Sequence, residues 1–278
     1  MWSEQGEIMN KKNSVIALVF ILLSAFSNAS CPPLPSSNEA PTILPIEHYN
    51  DRLAMLEPWY RIIKPQGDGP YPTVVYFHSG LGGAEGFNDL TKGKVNKIVN
   101  EGYAVLFVEA FASRGGVADR CLFPSEAADD VLVSFDWANK QPWVDKNRIA
   151  LFGNSLGGGT VMDALSSLAV NEALVSLANA KAVILKEPFC MKDQGVKGYY
   201  LVRILNSWED NFTVKVPTLV TQGTSDEYYS ACKAILDRNI ANGAPVTLAL
   251  YPGETHSLSP SSDADAWNKI FEFLKKHL

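Results

Sequence analysis

No stretch of this 278-residue sequence concentrates lysine and arginine, and its formal net charge is −6. The electrostatic case for nucleic-acid binding is therefore missing, because that role needs a basic patch facing the phosphates. The four cysteines, Cys31, Cys121, Cys190 and Cys232, include no closely spaced pair. A zinc site is not expected on that ground, and no other metal is implied. There is no internal repeat and no low-complexity tract. Histidine is scarce, with four in the whole chain, which makes a search for a general base short. The one strongly apolar run, Val15 to Phe26, falls short of the roughly 20 residues that cross a bilayer.

That run has a different reading. Asn10-Lys11-Lys12-Asn13 precedes it, and Ser27-Asn28-Ala29 follows with small residues. A basic stretch, an apolar stretch and a small-residue cut site make up a secretory signal peptide. We expect residues 1–29 to be that signal, with Met9 as an alternative start because Glu4 and Glu7 sit ahead of the basic stretch. The expected location is then exported, periplasmic or secreted, with no membrane span after cleavage. A lipid anchor at Cys31 is the weaker alternative, since Asn28 stands where a lipobox would carry leucine. Export permits disulfides. Four cysteines allow three full pairings, and spacing does not choose among them. Cys121 with Cys190 is the expected one, because both follow core strands at the side where loops gather.

Pro32, Pro33, Pro35, Pro41 and Pro45 mark residues 30–50 as an extended lead-in. From residue 51 to 278 the chain alternates between two kinds of run. Apolar strand-like runs occur at Thr73–Phe77, Tyr103–Val108, Arg148–Phe152, Ala182–Leu185, Thr218–Thr221 and Val246–Tyr251. Helix-like spacing occupies Phe87–Asn100, Ser125–Lys140, Leu156–Leu168 and Ala264–Leu278. Continuously apolar strands alternating with helices predict one α/β domain. Its sheet should be mostly parallel and doubly wound, with helices on both faces. Between the strands at 182 and 218 no long apolar helix pattern appears, so no large lid is expected.

Gly153-Asn154-Ser155-Leu156-Gly157 fits G-x-S-x-G. It follows a short apolar strand and opens a small-residue helix, which is the setting of a nucleophile elbow. The turn holds the serine in strained backbone angles, and its glycines leave room for that turn. A serine needs a base within hydrogen-bond reach. Only His256 and His277 follow Ser155, and His277 sits at a frayable terminus. His256 lies in the loop after the last strand and is the expected base. The orienting acid should follow the strand at Thr218–Thr221, which selects Asp226, with Glu227 as its neighbour and rival and Asp210 as a poorer one. The oxyanion would take the N–H of Leu156 and a second N–H from the loop His78–Gly83, offered by Leu81 or by Ser79.

These residues resemble the α/β-hydrolase superfamily and, more narrowly, the dienelactone hydrolase family. The resemblance runs from about Leu56 to the C-terminus. It rests on Pro72–Gly83, Glu109-Ala110-Phe111-Ala112-Ser113-Arg114-Gly115, the elbow, Gly223–Asp226 and His256. It implies the α/β-hydrolase fold and cleavage of a small-molecule ester or lactone, with no cofactor. Some relatives act on polyesters or peptides. The enzymes that name the family carry cysteine where this chain has Ser155, which shifts the expectation toward a general esterase. A peptidase, an acyltransferase or a non-catalytic binding member of the fold are the alternatives. Near the pocket, Glu109 and Arg114 would pair with each other or bind a polar substrate group. His78 would support its loop or contact substrate.

Overall fold

The computed structural model describes residues 46–80, 87–115, 124–167, 177–190 and 213–278. All of them fall within the compact unit of residues 39–278. Among the described residues seven strands form one sheet: β1 (Arg61–Ile63), β2 (Tyr71–Phe77), β3 (Ala104–Val108), β4 (Val144–Asn154), β5 (Ala182–Lys186), β6 (Thr218–Gly223) and β7 (Val246–Tyr251). Their order across the sheet is β1-β3-β2-β4-β5-β6-β7. Only β1 runs antiparallel, along β3; every other pairing is parallel. The mostly parallel α/β sheet expected from the sequence is thus present.

Alternation along the strands divides the core. Val75, Phe77, Leu151, Val183, Leu185 and Val220 face one side. There they pack on helices α1 (Ile46–Leu56), α3 (Pro124–Asn139), α4 (Leu156–Ser167) and α5 (Tyr229–Ala241). Val74, Tyr76, Phe107, Phe152, Ile184 and Leu219 face the other. Their partners are α2 (Asp89–Asn100) and α6 (Pro260–His277), through Val95, Ile98, Trp267, Ile270 and Leu274. Phe152 joins the layers on that side, with ring centroids 4.8 Å from Tyr76 and 5.8 Å from Trp267. Truncating such a buried ring costs about 3–5 kcal/mol.

Helix boundaries follow local chemistry. Asn88 caps α2 by accepting the Thr91 N–H at 3.0 Å. Gly102, at φ 92°, turns the chain out of that helix. The lead-in expected to be extended through residue 50 is corrected at its end, because Ile46–Leu56 is helical. The prolines stop at Pro45, and beyond it Tyr49, Leu53 and Leu56 recur at helical spacing against the core that α3 shares. The segment 191–212, where no large lid is expected, lies outside the described residues, as does the expected signal peptide.

Strand register sets up the site. Phe77 pairs with Gly153, Asn154 with Lys186, and Gly223 with Tyr251. The carboxyl ends of these parallel strands therefore meet at one edge. The order reverses between β3-β2 and β4, and ligands of open α/β sheets bind in the crevice at such a switch point.

Candidate active site

Ser155 stands between the last residue of β4 and the first of α4, at φ 53°. Among the described residues only Glu187, at φ 44°, is another non-glycine with positive φ. A backbone in this region is strained by about 1–3 kcal/mol and persists only where its surroundings hold it. The glycines around Ser155 explain how the turn closes. A Cβ on Gly153 would lie 2.3 Å from the Gly157 carbonyl oxygen, and one on Gly157 would lie 2.2 Å from that of Phe77. The close approach lets the Gly157 N–H donate to the His78 carbonyl at 3.0 Å. The elbow and the loop after β2 are thereby joined.

The Ser155 hydroxyl lies 2.8 Å from His256 Nε2. His256 Nδ1 lies 2.9 Å from Asp226 Oδ2. A carboxylate can only accept, so Nδ1 carries the proton and Nε2 is left to accept the one on Ser155 Oγ. Asp226 is buried. Its Oδ1 accepts the Tyr228 N–H at 2.9 Å, and Gln222 Nε2 donates to Oδ2 at 3.1 Å. Burial pushes this carboxyl up, but hydrogen bonds from His256, Tyr228 and Gln222 together outweigh it and hold it below its ordinary value. Tyr228 meets the imidazole edge-on, with centroids 5.0 Å apart, and packs at a tilt against Phe189 at 4.6 Å.

The loop carrying His256 is fixed from below. The Glu254 carboxylate accepts from Ser259 N–H at 2.8 Å and from the hydroxyls of Ser259 and Ser262 at 2.5 and 2.7 Å. These bonds, the Ser259 hydroxyl first, hold its carboxyl below the usual value. The Glu254 carbonyl accepts Ser225 N–H at 2.8 Å, which ties this loop to the one carrying Asp226.

Of the expected oxyanion donors, Leu156 is the first residue of α4, where N–H groups lack an intrahelical acceptor. Among the described residues no hydrogen bond takes its N–H. Ser79 is buried beside the elbow, and its carbonyl bonds His78 Nδ1 at 2.8 Å. Leu81 lies outside the described residues.

His78, Glu109 and Arg114, expected near the pocket, each have partners within the protein. His78 is 3% exposed, and burial lowers its pKa from the ordinary imidazole value. Its Nδ1–H donates to Ser79, and Nε2 accepts the Ala110 N–H at 3.1 Å. Both nitrogens are consumed in joining the loops after β2 and β3. Glu109 is fully buried and accepts Phe87 N–H at 3.0 Å. Arg114 makes a bidentate pair with buried Asp130, both bonds at 2.9 Å, and Arg52 reaches the same carboxylate at 3.2 Å. These bonds tie the loop walls together from inside. The expected disulfide is corrected: Cys190 pairs with Cys232, their Cα atoms 5.1 Å apart. Cys232 lies in the first turn of α5, a helix without a clear apolar stripe in the sequence, and Cys121 lies outside the described residues. Among the described residues no group of three His, Cys, Asp or Glu side chains could hold a metal ion, and no helix is long and apolar enough to cross a membrane.

Residues 124–278 match the prolyl oligopeptidase family, and residues 32–183 match the X-Pro dipeptidyl-peptidase (S15) family. Dipeptidyl aminopeptidase BIII of Pseudoxanthomonas mexicana is 24% identical over 74% of this chain and 33% of its own length. The chain spans about a third of the length of most of the curated relatives it matches. Among solved structures, esterase 2 of Thermogutta terrifontis, phosphorylated by paraoxon, superposes with TM-score 0.61 at 16% identity, covering 78% of this chain and 88% of that one. A putative dienelactone hydrolase from Klebsiella pneumoniae gives 0.58 at 14%, covering 78% and 98%. The architecture is the α/β-hydrolase fold.

Proposed function

The chain belongs to the prolyl oligopeptidase family, and from that premise we propose that it is a serine hydrolase cleaving carboxylic esters or lactones through an acyl-enzyme on Ser155. The observation that carries this reading is the unbroken line Ser155 Oγ, His256 Nε2, His256 Nδ1, Asp226 Oδ2, with spacings of 2.8 and 2.9 Å.

Ser155 Oγ attacks the acyl carbonyl while its proton passes to His256 Nε2. Asp226 keeps the imidazole in its Nδ1–H tautomer and stabilises the imidazolium. The developing oxyanion lies at the start of α4, where the Leu156 N–H and the positive end of the helix favour it. A second N–H comes from the loop that begins at His78, offered by Leu81 or by Ser79. His256 then protonates the departing alcohol oxygen. Water, deprotonated by the same imidazole, attacks the acyl-enzyme and returns Ser155 to its hydroxyl form.

Support for esters comes from neighbours matched over most of their length: the esterase and the putative dienelactone hydrolase are covered over 88% and 98% of their chains. A peptidase is the second reading, favoured by the two peptidase family matches and by the aminopeptidase relative. Turnover of p-nitrophenyl esters against aminoacyl arylamides separates the two. The ester reading expects esters to lead by orders of magnitude in kcat/KM, with Ser155→Ala inactive on both. Arylamides leading would establish the peptidase instead. We also propose export, with residues 1–29 removed. The Cys190–Cys232 disulfide supports it, since such bonds persist in oxidising compartments. Mass measurement of the mature N-terminus tests the cut and would reveal a lipid on Cys31.

A further inference from the structure

Behind Ser155, on the side of the sheet covered by α2 and α6, lies a group of charges that the acyl-transfer chemistry does not use. Lys186 ends β5 and is 2% exposed. Its ammonium contacts both Glu187 carboxylate oxygens at 2.8 Å and Asp263 Oδ1 at 2.9 Å. The Trp267 ring lies 6.0 Å away. Lys97 approaches Asp263 at 3.3 Å, and Lys94 donates to Asn154 Oδ1 at 2.5 Å. Thr221 Oγ1 lies 3.5 Å from Glu187 Oε1.

The main chain of the same residue holds the elbow. The Lys186 carbonyl accepts the Ser155 N–H at 3.0 Å and Asn154 Nδ2 at 2.9 Å. Glu187, at φ 44°, reverses the chain so that the Phe189 N–H reaches the Ser155 carbonyl at 2.9 Å. Ser155 is thus gripped at both its N–H and its C=O by one short segment. At the other end of the Lys186 side chain, Asp263 adjoins Ser262, which donates to Glu254, the anchor of the His256 loop.

We propose that Lys186 is a positioning residue that sets the distance between the nucleophile and the base, by bracing the Ser155 turn against the helix whose start anchors His256. The proposal rests on Ser155 and His256 acting as nucleophile and base. A lysine buried only for stability is a poor device. Its desolvation offsets most of its attraction, and an apolar replacement of the whole pair is often neutral or stabilising. What the charges provide here is a fixed geometry at both ends of one side chain. Small misplacements of reacting groups slow the chemical step by about 10²-fold without weakening substrate binding.

The test compares Asp263→Asn, whose carboxylate is partly exposed, with the double change Lys186→Met and Glu187→Gln, which leaves no unpaired charge at Glu187. Each is measured for kcat and KM on a p-nitrophenyl ester, for the rate of phosphonylation by a fluorophosphonate, and for melting temperature. The expected result is a fall in kcat of about 10–100-fold for the double variant and a smaller fall for Asp263→Asn. KM should stay within about twofold, and phosphonylation should slow in parallel. Lys186→Arg should recover part of the loss. If both variants keep kcat and phosphonylation within about twofold of the parent, the proposal is overturned. Ser155→Ala is run alongside: its failure to react supports the nucleophile whatever Lys186 does. Normal reaction of Ser155→Ala would instead overturn the reading on which the proposal stands.

Discussion

Gly223 passes so close to Glu254 that a Cβ on it would lie 2.2 Å from the Glu254 carbonyl oxygen. This approach seats the end of β6, which leads to Asp226, against the loop that presents His256. Any side chain at 223 must push the two apart. Gly223→Ala should lower stability by about 1–3 kcal/mol, as overpacking does. It should also cut kcat/KM by about 10²-fold, because Asp226 and His256 lose register. Urea unfolding and ester kinetics on the same sample check both, and parent-like kinetics would contradict the account.

Asp226→Asn addresses the acid alone. An amide in place of the carboxylate no longer enforces the Nδ1–H tautomer, and kcat should fall by about 10³–10⁴-fold. The pH dependence of stability has a definite sign. Asp226 has a depressed pKa in the folded chain. Its contribution is therefore present above the unfolded value near 4 and is lost as pH falls through the folded value. Parent and variant should converge in relative stability on acidification, read from melting temperatures at pH 6 down to 2.

The parts of this site that depend on strand ends were legible in the sequence. The run Arg148–Phe152 followed by Gly153-Asn154-Ser155 could hardly be anything but a strand opening into an elbow, and histidine scarcity isolated His256. The missed elements have physical reasons. β1 is a three-residue edge strand, too short for a pattern to register. α5 carries apolar residues at Ala231, Cys232 and Leu236 among many polar ones, so its stripe is faint. The Arg114–Asp130 pair joins a loop to a helix, and nothing in spacing alone prefers Asp130 over Glu109 as its partner. Lys186 did leave a signal, a lone charge closing the apolar run Ala182–Leu185, but its partner Asp263 is remote in sequence.

Lys94 gives a prediction of the same sign as Asp226 in an alkaline window. Burial, with the nearby Lys186 charge adding to it, lowers its pKa from 10.5 to about 8. The unfolded chain binds this proton up to about pH 10.5 while the folded chain releases it near 8, so folding should gain from this residue as pH rises between those values. Lys94→Met should abolish that gain. Comparing parent and variant by denaturant unfolding from pH 7 to 10 tests it, and a difference independent of pH would contradict it.

The Cys190–Cys232 bond closes a segment with a sequence separation of 42. Chain-entropy reasoning assigns such a closure about 4 kcal/mol. Replacing both cysteines with serine should lower the unfolding free energy by about 2–4 kcal/mol, and reductant should destabilise the parent but not the variant. Equal denaturant midpoints for the two proteins would show that the bond does not form in solution.

The most direct test of the hydrolase reading is to react the purified chain with a fluorophosphonate and locate the adduct by peptide mass spectrometry. The account predicts a single adduct on Ser155, absent in Ser155→Ala and formed orders of magnitude more slowly in His256→Ala. An unmodified Ser155, or an adduct that forms just as fast without His256, would contradict it.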